Sequence, residues 1–359
     1  MSILGVRFAA LLLAANFALA EQPNPPYHEI EVTYSNPEAD NIQLAGTLTE
    51  PATGGPFPTV ELISGAGPQD RDETIEGQKP FRVLADFLTR RGLAVLRVDD
   101  RGVGHSTGHF EGVTTKDFST DVKAGVRFLQ ARSEIDSKRM GLIGHGEGAL
   151  EAVMVAEDIT SIAFVVMLES PGVPGDQVLI EQTEQAERAS GLPKQQIKND
   201  RQVGTMLYDM ARNGATISQM YLALADFKVS LLRRHRDDGS TLAAWSAKVK
   251  RFNDPWLHFF LSYDPAPAIA QLKCPVLALN GGKDMQVIAE QNAPAIKAAL
   301  ARGGNKDAEV KVLPGLNYLL QPAQTGLAYE YASSPVAISP VALQIIGDWI
   351  TTHTHNPTE

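Results

Sequence analysis

The chain has one cysteine, Cys274, in 359 residues, and its eight histidines do not have the spacing of metal ligands. A single cysteine excludes an intrachain disulfide, so the fold must be stabilised by burial and hydrogen bonding. Cys274 stands between a lysine and a proline at the start of an apolar segment, where we expect a small buried hydrophobic residue; a reactive thiol is the alternative. We therefore predict no resident metal and no cofactor.

Positive charge is also scarce. The chain carries 32 lysines and arginines against 42 aspartates and glutamates, which gives a formal net charge of −10. Because the basic residues form no cluster, we expect no nucleic-acid partner and predict a small molecule instead.

Long apolar runs are missing except near the N-terminus. There Arg7 precedes an apolar segment from Phe8 to Leu19, and small residues at 18 and 20 form a cleavage site before Glu21. This pattern is typical of a signal peptide over residues 1–20, and its apolar run is short for a bilayer span. We expect export to the periplasm or the extracellular space, with no integral membrane segment after cleavage.

Strand-like and helix-like segments alternate along most of the remaining chain. Such alternation predicts an α/β fold with a mostly parallel, eight-stranded sheet flanked by helices. From Asp176 to Ala268 the strand signal stops, and helices are expected over residues 177–190, 194–213, 217–234 and 241–250. We interpret residues 176–268 as a helical cap inserted into a core made of residues 21–175 and 269–359. Its aromatic residues either cover a ligand pocket or pack inside the cap; they are Trp245, Phe252, Trp256, Phe259 and Phe260.

One turn stands out in the core. A short apolar strand leads into Gly144-His145-Gly146-Glu147-Gly148, and a helix-forming segment follows. The layout and spacing are those of a nucleophile elbow, G-x-S-x-G, which presents a serine hydroxyl above a parallel sheet. The central residue here is Gly146, so the hydroxyl is absent.

Six segments together carry a family resemblance. They are Ser64–Asp72, Asp99–Ser106, Ile143–Gly148, Tyr263–Pro267, Asn280–Asp284 and Leu313–Tyr318. In combination they resemble the α/β-hydrolase superfamily and, more narrowly, the secreted esterase D-type group with a serine-aminopeptidase-like domain. The resemblance runs from about residue 33 to residue 350.

The resemblance implies a catalytic triad in the order serine, acid, histidine. The acid maps to Asp284, which is present, whereas the nucleophile maps to Gly146 and the histidine to Tyr318. Glycine has no oxygen to attack an acyl carbon, and a phenol with an ordinary pKa of about 10 is a poor base near neutrality. We therefore predict a pseudo-hydrolase of esterase descent that binds a small acyl or apolar ligand.

Other elements of the site are expected to persist. The backbone N–H of Glu147 and one from Gly65 or Ala66 would form an oxyanion hole. The additional pocket candidates are His145, Ser170 and Trp256. The His145 side chain should point away from the pocket. We also expect Tyr318 to donate a hydrogen bond to Asp284, because a buried carboxylate without its histidine needs another donor.

Three alternatives remain open at this stage. Residues 144–149 also fit G-x-G-x-x-A, with Glu169 at the distance of a ribose-binding acid, which would indicate a dinucleotide site. Relocated ester hydrolysis could use Ser64, Ser106 or Ser170 with His105 or His258 as base. Asp284 and Tyr318 could instead serve a lyase or isomerase reaction. The charged residues at 70–72 and 99–101 are interpreted as an ion-pair scaffold at the pocket rim.

Overall fold

The computed structural model describes residues 26–233 and 240–354 of the chain. The expected signal peptide, residues 1–20, lies outside these ranges, and so does Arg234, the last residue of the third predicted cap helix. Within the described ranges, no helix combines the length and apolar character needed to cross a lipid bilayer.

Eight strands form one sheet in this part of the chain, in the order β1-β2-β4-β3-β5-β6-β7-β8. Strand β2 is antiparallel to both of its neighbours, and every other adjacent pair is parallel. The strands are β1 (Tyr27–Asn36), β2 (Ile42–Pro51), β3 (Phe57–Ile63), β4 (Ala94–Val98), β5 (Ile135–His145), β6 (Phe164–Leu168), β7 (Val276–Gly281) and β8 (Ala308–Leu313). The predicted eight-stranded, mostly parallel sheet is confirmed.

Helices cover both faces of this sheet. They are α1 (Pro80–Thr89), α2 (Thr115–Gln130), α3 (Glu147–Asp158), α9 (Ala266–Gln271), α10 (Ala289–Arg302) and α11 (Pro340–Thr354). Helices α1 and α11 bury Leu84 and Ile346 against one face. Helices α2, α3 and α10 bury Val126, Val153 and Ile296 against the other. Burial on both faces explains why the central strands are continuous apolar runs.

Between β6 and β7 the described residues form helices joined by loops, without a strand. We call five of these helices the cap helices: α4 (Gly175–Ala189), α5 (Lys194–Arg212), α6 (Ile217–Arg233), α7 (Ser240–Val249) and α8 (Pro255–Ser262). They share an apolar cluster of their own, in which Trp245 and Phe252 are buried around Tyr208. Trp256 is only partly buried at the edge of this cluster and stacks on Phe260. The cap aromatics therefore divide between internal packing and the cavity wall described below.

Candidate functional site

The turn between β5 and α3 keeps the backbone of a nucleophile elbow. Gly146 joins the two elements with φ = 55° and ψ = −119°, a conformation that residues with a side chain rarely adopt. Gly144 allows β5 and α3 to pack closely, because a Cβ on it would lie 2.5 Å from the helix backbone at Ala149. Gly148 allows α3 to approach the end of β3, because a Cβ on it would overlap the carbonyl oxygens of Ile63 and Ser64. The corner thus retains its shape without the hydroxyl it normally presents.

The Tyr318 hydroxyl lies directly over Gly146. A Cβ built on Gly146 would overlap the Tyr318 Oη and would lie 3.2 Å from the ring carbon that carries it. A Cβ built on Gly65 would lie 2.7 Å from the same oxygen. The phenol therefore occupies the space in which a side chain at position 146 would begin, and the two replaced residues fit each other sterically.

Asp284 has a different partner from the one expected. One of its carboxylate oxygens accepts hydrogen bonds from the backbone N–H groups of Gln286 at 2.6 Å and Val287 at 3.1 Å. No hydrogen bond joins Asp284 to Tyr318 among the described residues, so this prediction was wrong. The Tyr318 hydroxyl lies instead at the elbow, over Gly146.

The Asp284 carboxyl group has a second buried acid, Glu169, as its neighbour. Glu169 is fully buried, has φ = 47°, and accepts the backbone N–H of Gly281 at 2.7 Å. Its carboxyl group lies close to that of Asp284. Burial and the charge of Asp284 raise the pKa of Glu169 well above its usual value, and burial also raises the pKa of Asp284. The two buried carboxyl groups interact, so the titration of one depends on that of the other. Glu169 is therefore not free to bind a ribose, which contradicts the dinucleotide alternative.

His145 is held in a buried network behind the elbow. Its Nδ1 lies 2.7 Å from the Glu73 carboxylate and its Nε2 lies 2.8 Å from the Tyr318 carbonyl oxygen. Burial alone would lower the pKa of His145, but these acceptors outweigh it and raise the pKa. The imidazole thus positions the backbone of Tyr318. Glu73 could not be predicted from the sequence, because it lies 72 residues before His145 and the residues around it show no motif that indicates this contact.

Of the two alternative partners predicted for Glu147 in an oxyanion hole, Gly65 is engaged and Ala66 is available. The Gly65 N–H donates a hydrogen bond to Glu73 at 2.8 Å and is therefore engaged. Among the residues that the structure describes, the N–H groups of Ala66 and Glu147 have no protein acceptor. The predicted pair of donors that consists of Ala66 and Glu147 therefore remains available to a ligand.

A cavity of about 710 Å³ opens beside the elbow. Its wall includes Gly65, Ala66 and Glu147, and Trp256 contributes from the cap. The Trp256 Nε1–H donates a hydrogen bond to Glu147 at 2.7 Å and so connects α8 to the first residue of α3. The cavity extends from there toward the ends of β3 and β4 and the start of α2.

Several predicted site residues do not reach this cavity. Gly146, Asp284, Tyr318, His145 and Ser170 are absent from its described wall. For Ser170 this corrects our expectation of a pocket residue: it is completely buried, and its hydroxyl donates to the carbonyl oxygen of the next residue at 3.1 Å.

The two other candidate serines have structural partners. The Ser64 hydroxyl donates to Asp100 at 2.8 Å, and the Ser106 hydroxyl donates to the carbonyl oxygen of Asp99 at 2.7 Å. In the described part of the chain none of the candidate serines is hydrogen-bonded to an imidazole, so none is prepared as a nucleophile.

Ion pairs brace the rim of the cavity, as predicted. Arg71 contacts Asp99 at 2.8 Å, Arg101 contacts Asp121 at 2.6 Å, and Arg97 contacts Asp72. These charged side chains fix the loops that follow β3 and β4.

Comparison with known proteins agrees with this geometry. Residues 40–311 match the family described as X-Pro dipeptidyl-peptidase (S15 family). Esterase EstD of Thermotoga maritima is 26% identical over 293 residues, which are 82% of this chain and 60% of EstD. The chain therefore spans about 60% of the length of that curated relative.

Solved structures show the same fold. The Pyrococcus furiosus esterase Pf2001 matches with a TM-score of 0.55 at 17% identity, over 92% of both chains. The alpha/beta hydrolase GrgF from Penicillium sp. sh18 matches with a TM-score of 0.53 at 14% identity, over 92% of this chain and 99% of GrgF. At these identities the structures establish the α/β-hydrolase fold.

Proposed function

This chain belongs to the X-Pro dipeptidyl-peptidase (S15) family within the α/β-hydrolases, and from that premise we propose that it binds a small molecule without hydrolysing it. The observation that carries the proposal is the position of the Tyr318 hydroxyl over Gly146. A serine side chain is absent from the elbow, and its space is filled.

The missing groups are the two that perform the chemistry. Removing the nucleophile or the histidine of a serine hydrolase costs roughly a million-fold in turnover, and removing both costs little more. Tyr318 does not replace the base, because burial raises its pKa well above the ordinary value of a phenol. The oxyanion hole alone supports at most about 10³–10⁴-fold acceleration over water.

The binding elements are retained beside the disabled elbow. A cavity of about 710 Å³ lies within the range typical of small-molecule sites. The N–H groups of Ala66 and Glu147 are available at its wall to a ligand oxygen, and Trp256 adds an aromatic surface. These features support a ligand with an acyl or other apolar body.

We also propose that the protein is exported. The signal-like pattern of residues 1–20 supports action in the periplasm or outside the cell.

Hydrolysis of short-chain 4-nitrophenyl esters tests the proposed function. We expect negligible turnover by the native protein. We expect a measurable gain in the Gly146→Ser/Tyr318→His double variant, which restores both groups and removes the hydroxyl that blocks the elbow. Native turnover comparable to that of an esterase would refute the proposal.

A further inference from the structure

Most of the acids around the cavity beside the elbow have protein partners. Asp99 and Asp121 are paired with arginines, and Asp100 accepts hydrogen bonds from Ser64 and from a backbone N–H group. Glu147 is hydrogen-bonded by Thr115 and Trp256. These carboxyl groups are satisfied without a ligand.

Glu61 and Glu151 are the exceptions. Glu61 on β3 is 3% exposed, Glu151 on α3 is 7% exposed, and both line the cavity. No hydrogen bond or ion pair joins either carboxyl group to a residue that the structure describes. The Glu61 Oε2 is in addition a buried oxygen without a partner. The Tyr34 hydroxyl, which also lines the cavity, is buried without a partner as well. Buried polar groups without a protein partner are rare, and at a cavity wall such groups are available to a ligand.

The fold makes room for the Glu61 carboxyl. Gly125 on α2 faces it, and a Cβ built on Gly125 would lie 2.6 Å from the Glu61 carboxyl carbon. An acid in an otherwise apolar interior strand is therefore accommodated by the absence of a side chain on the opposing helix. This pairing of residues keeps the carboxyl in place beside the cavity.

We propose that the ligand of this cavity carries a positively charged amine on an apolar body, and that Glu61 and Glu151 bind the amine. This inference rests on the proposed function, because it names the class of ligand that binds in the same cavity. Phe110, Phe118 and Trp256 line the cavity and suit an apolar or aromatic body. Aromatic faces also attract cations.

The surrounding charges favour an organic cation over a metal ion. The cavity wall includes two positively charged residues, Arg101 and Arg251. The charge of Arg101 is balanced by Asp121, and Arg251 is exposed to solvent. Within residues 26–233 and 240–354, no three acidic, histidine or cysteine side chains converge as metal ligands. Burial raises the pKa of Glu61 and of Glu151 well above the usual value, so an amine that binds them promotes their ionisation.

Calorimetric titration with three matched probes tests the inference: 4-phenylbutylamine, 4-phenylbutanol and 4-phenylbutyrate. We expect the amine to bind at least about tenfold more tightly than the alcohol or the carboxylate. Glu61→Gln and Glu151→Gln should each weaken amine binding about tenfold and leave alcohol binding unchanged. Glu309→Gln, which changes an exposed acid on β8, is the matched control and should alter neither.

Stability separates ligand binding from a structural role. Because neither carboxyl has a protein partner, the two glutamine variants should unfold at the same or a higher temperature than the native protein at pH 8. A structural role would give the opposite change.

Equal or tighter binding of the alcohol or the carboxylate would overturn the inference, as would unchanged amine binding by both glutamine variants or failure of all three probes to bind. The proposed function has a separate readout. If the alcohol binds better than the amine and esters are not hydrolysed, only the inference fails. If 4-phenylbutyl acetate is hydrolysed, the proposed function fails whatever the probe preference.

Discussion

Replacing Gly146 with alanine adds one carbon atom at the place where the Tyr318 hydroxyl lies. The structure predicts two contributions to the resulting loss of stability. A side chain at φ = 55° and ψ = −119° is strained by about 1–3 kcal/mol. The overlap with the Tyr318 Oη forces the ring to move, which costs about 1–3 kcal/mol. We therefore expect Gly146→Ala to lower the free energy of unfolding by about 2–6 kcal/mol.

Tyr318→Phe removes only the overlapping oxygen. Because that hydroxyl has no protein partner in the described part of the chain, the single substitution should change stability by less than about 1 kcal/mol. In the double variant the overlap disappears while the backbone strain remains. The double-mutant cycle should therefore give a coupling free energy of about 1–3 kcal/mol, with the double variant more stable than additivity predicts.

Urea denaturation of the four proteins measures this cycle. Gly191→Ala is the control for backbone strain, because Gly191 has φ = 73° and a Cβ there would contact nothing within 4 Å. It should lose about 1–2 kcal/mol and show no coupling to Tyr318→Phe. Additivity within about 0.5 kcal/mol at positions 146 and 318 would refute the steric reasoning.

Three further predictions concern the network behind the elbow and the N-terminus. The pKa of Glu169 is higher in the folded protein than in the unfolded chain, so protonated Glu169 stabilises the fold. This stabilisation is fully present below the pKa of the unfolded chain, and it is lost as the pH rises through the pKa of the folded protein. Glu169→Gln should therefore gain stability relative to the native protein between pH 5 and pH 8, measured by urea denaturation. A parallel pH dependence of the two proteins would contradict the raised pKa of Glu169. His145→Phe leaves the buried Glu73 carboxylate without its cation and should cost about 3–5 kcal/mol; a loss below about 1 kcal/mol would show that the pair is not ionised. N-terminal sequencing of the exported protein should begin at Glu21, and an unprocessed N-terminus would exclude the signal peptide.

Local sequence patterns predicted the parts of this molecule that depend on local chemistry. Apolar strands alternate with amphipathic helices because each strand of a parallel sheet is buried on both faces, and this alternation predicted the sheet. The elbow was recognisable because its three glycines are required by a tight turn between a strand and a helix.

Contacts between distant segments could not be predicted in the same way. The expected hydrogen bond from Tyr318 to Asp284 is absent because the phenol reaches the elbow and a different acid, Glu169, lies against Asp284. Glu73 meets His145 only in the folded chain. Glu61 did offer a signal, since a charged residue inside an apolar strand needs a reason to be buried.

The claim that the elbow is disabled is tested most directly by intact-mass spectrometry after incubation with a fluorophosphonate, which reacts with activated serines. The account predicts that the native protein keeps its unmodified mass. The Gly146→Ser/Tyr318→His variant should gain a single adduct at residue 146, which shows that the fold can still present a nucleophile. A stoichiometric adduct anywhere on the native chain would contradict the account.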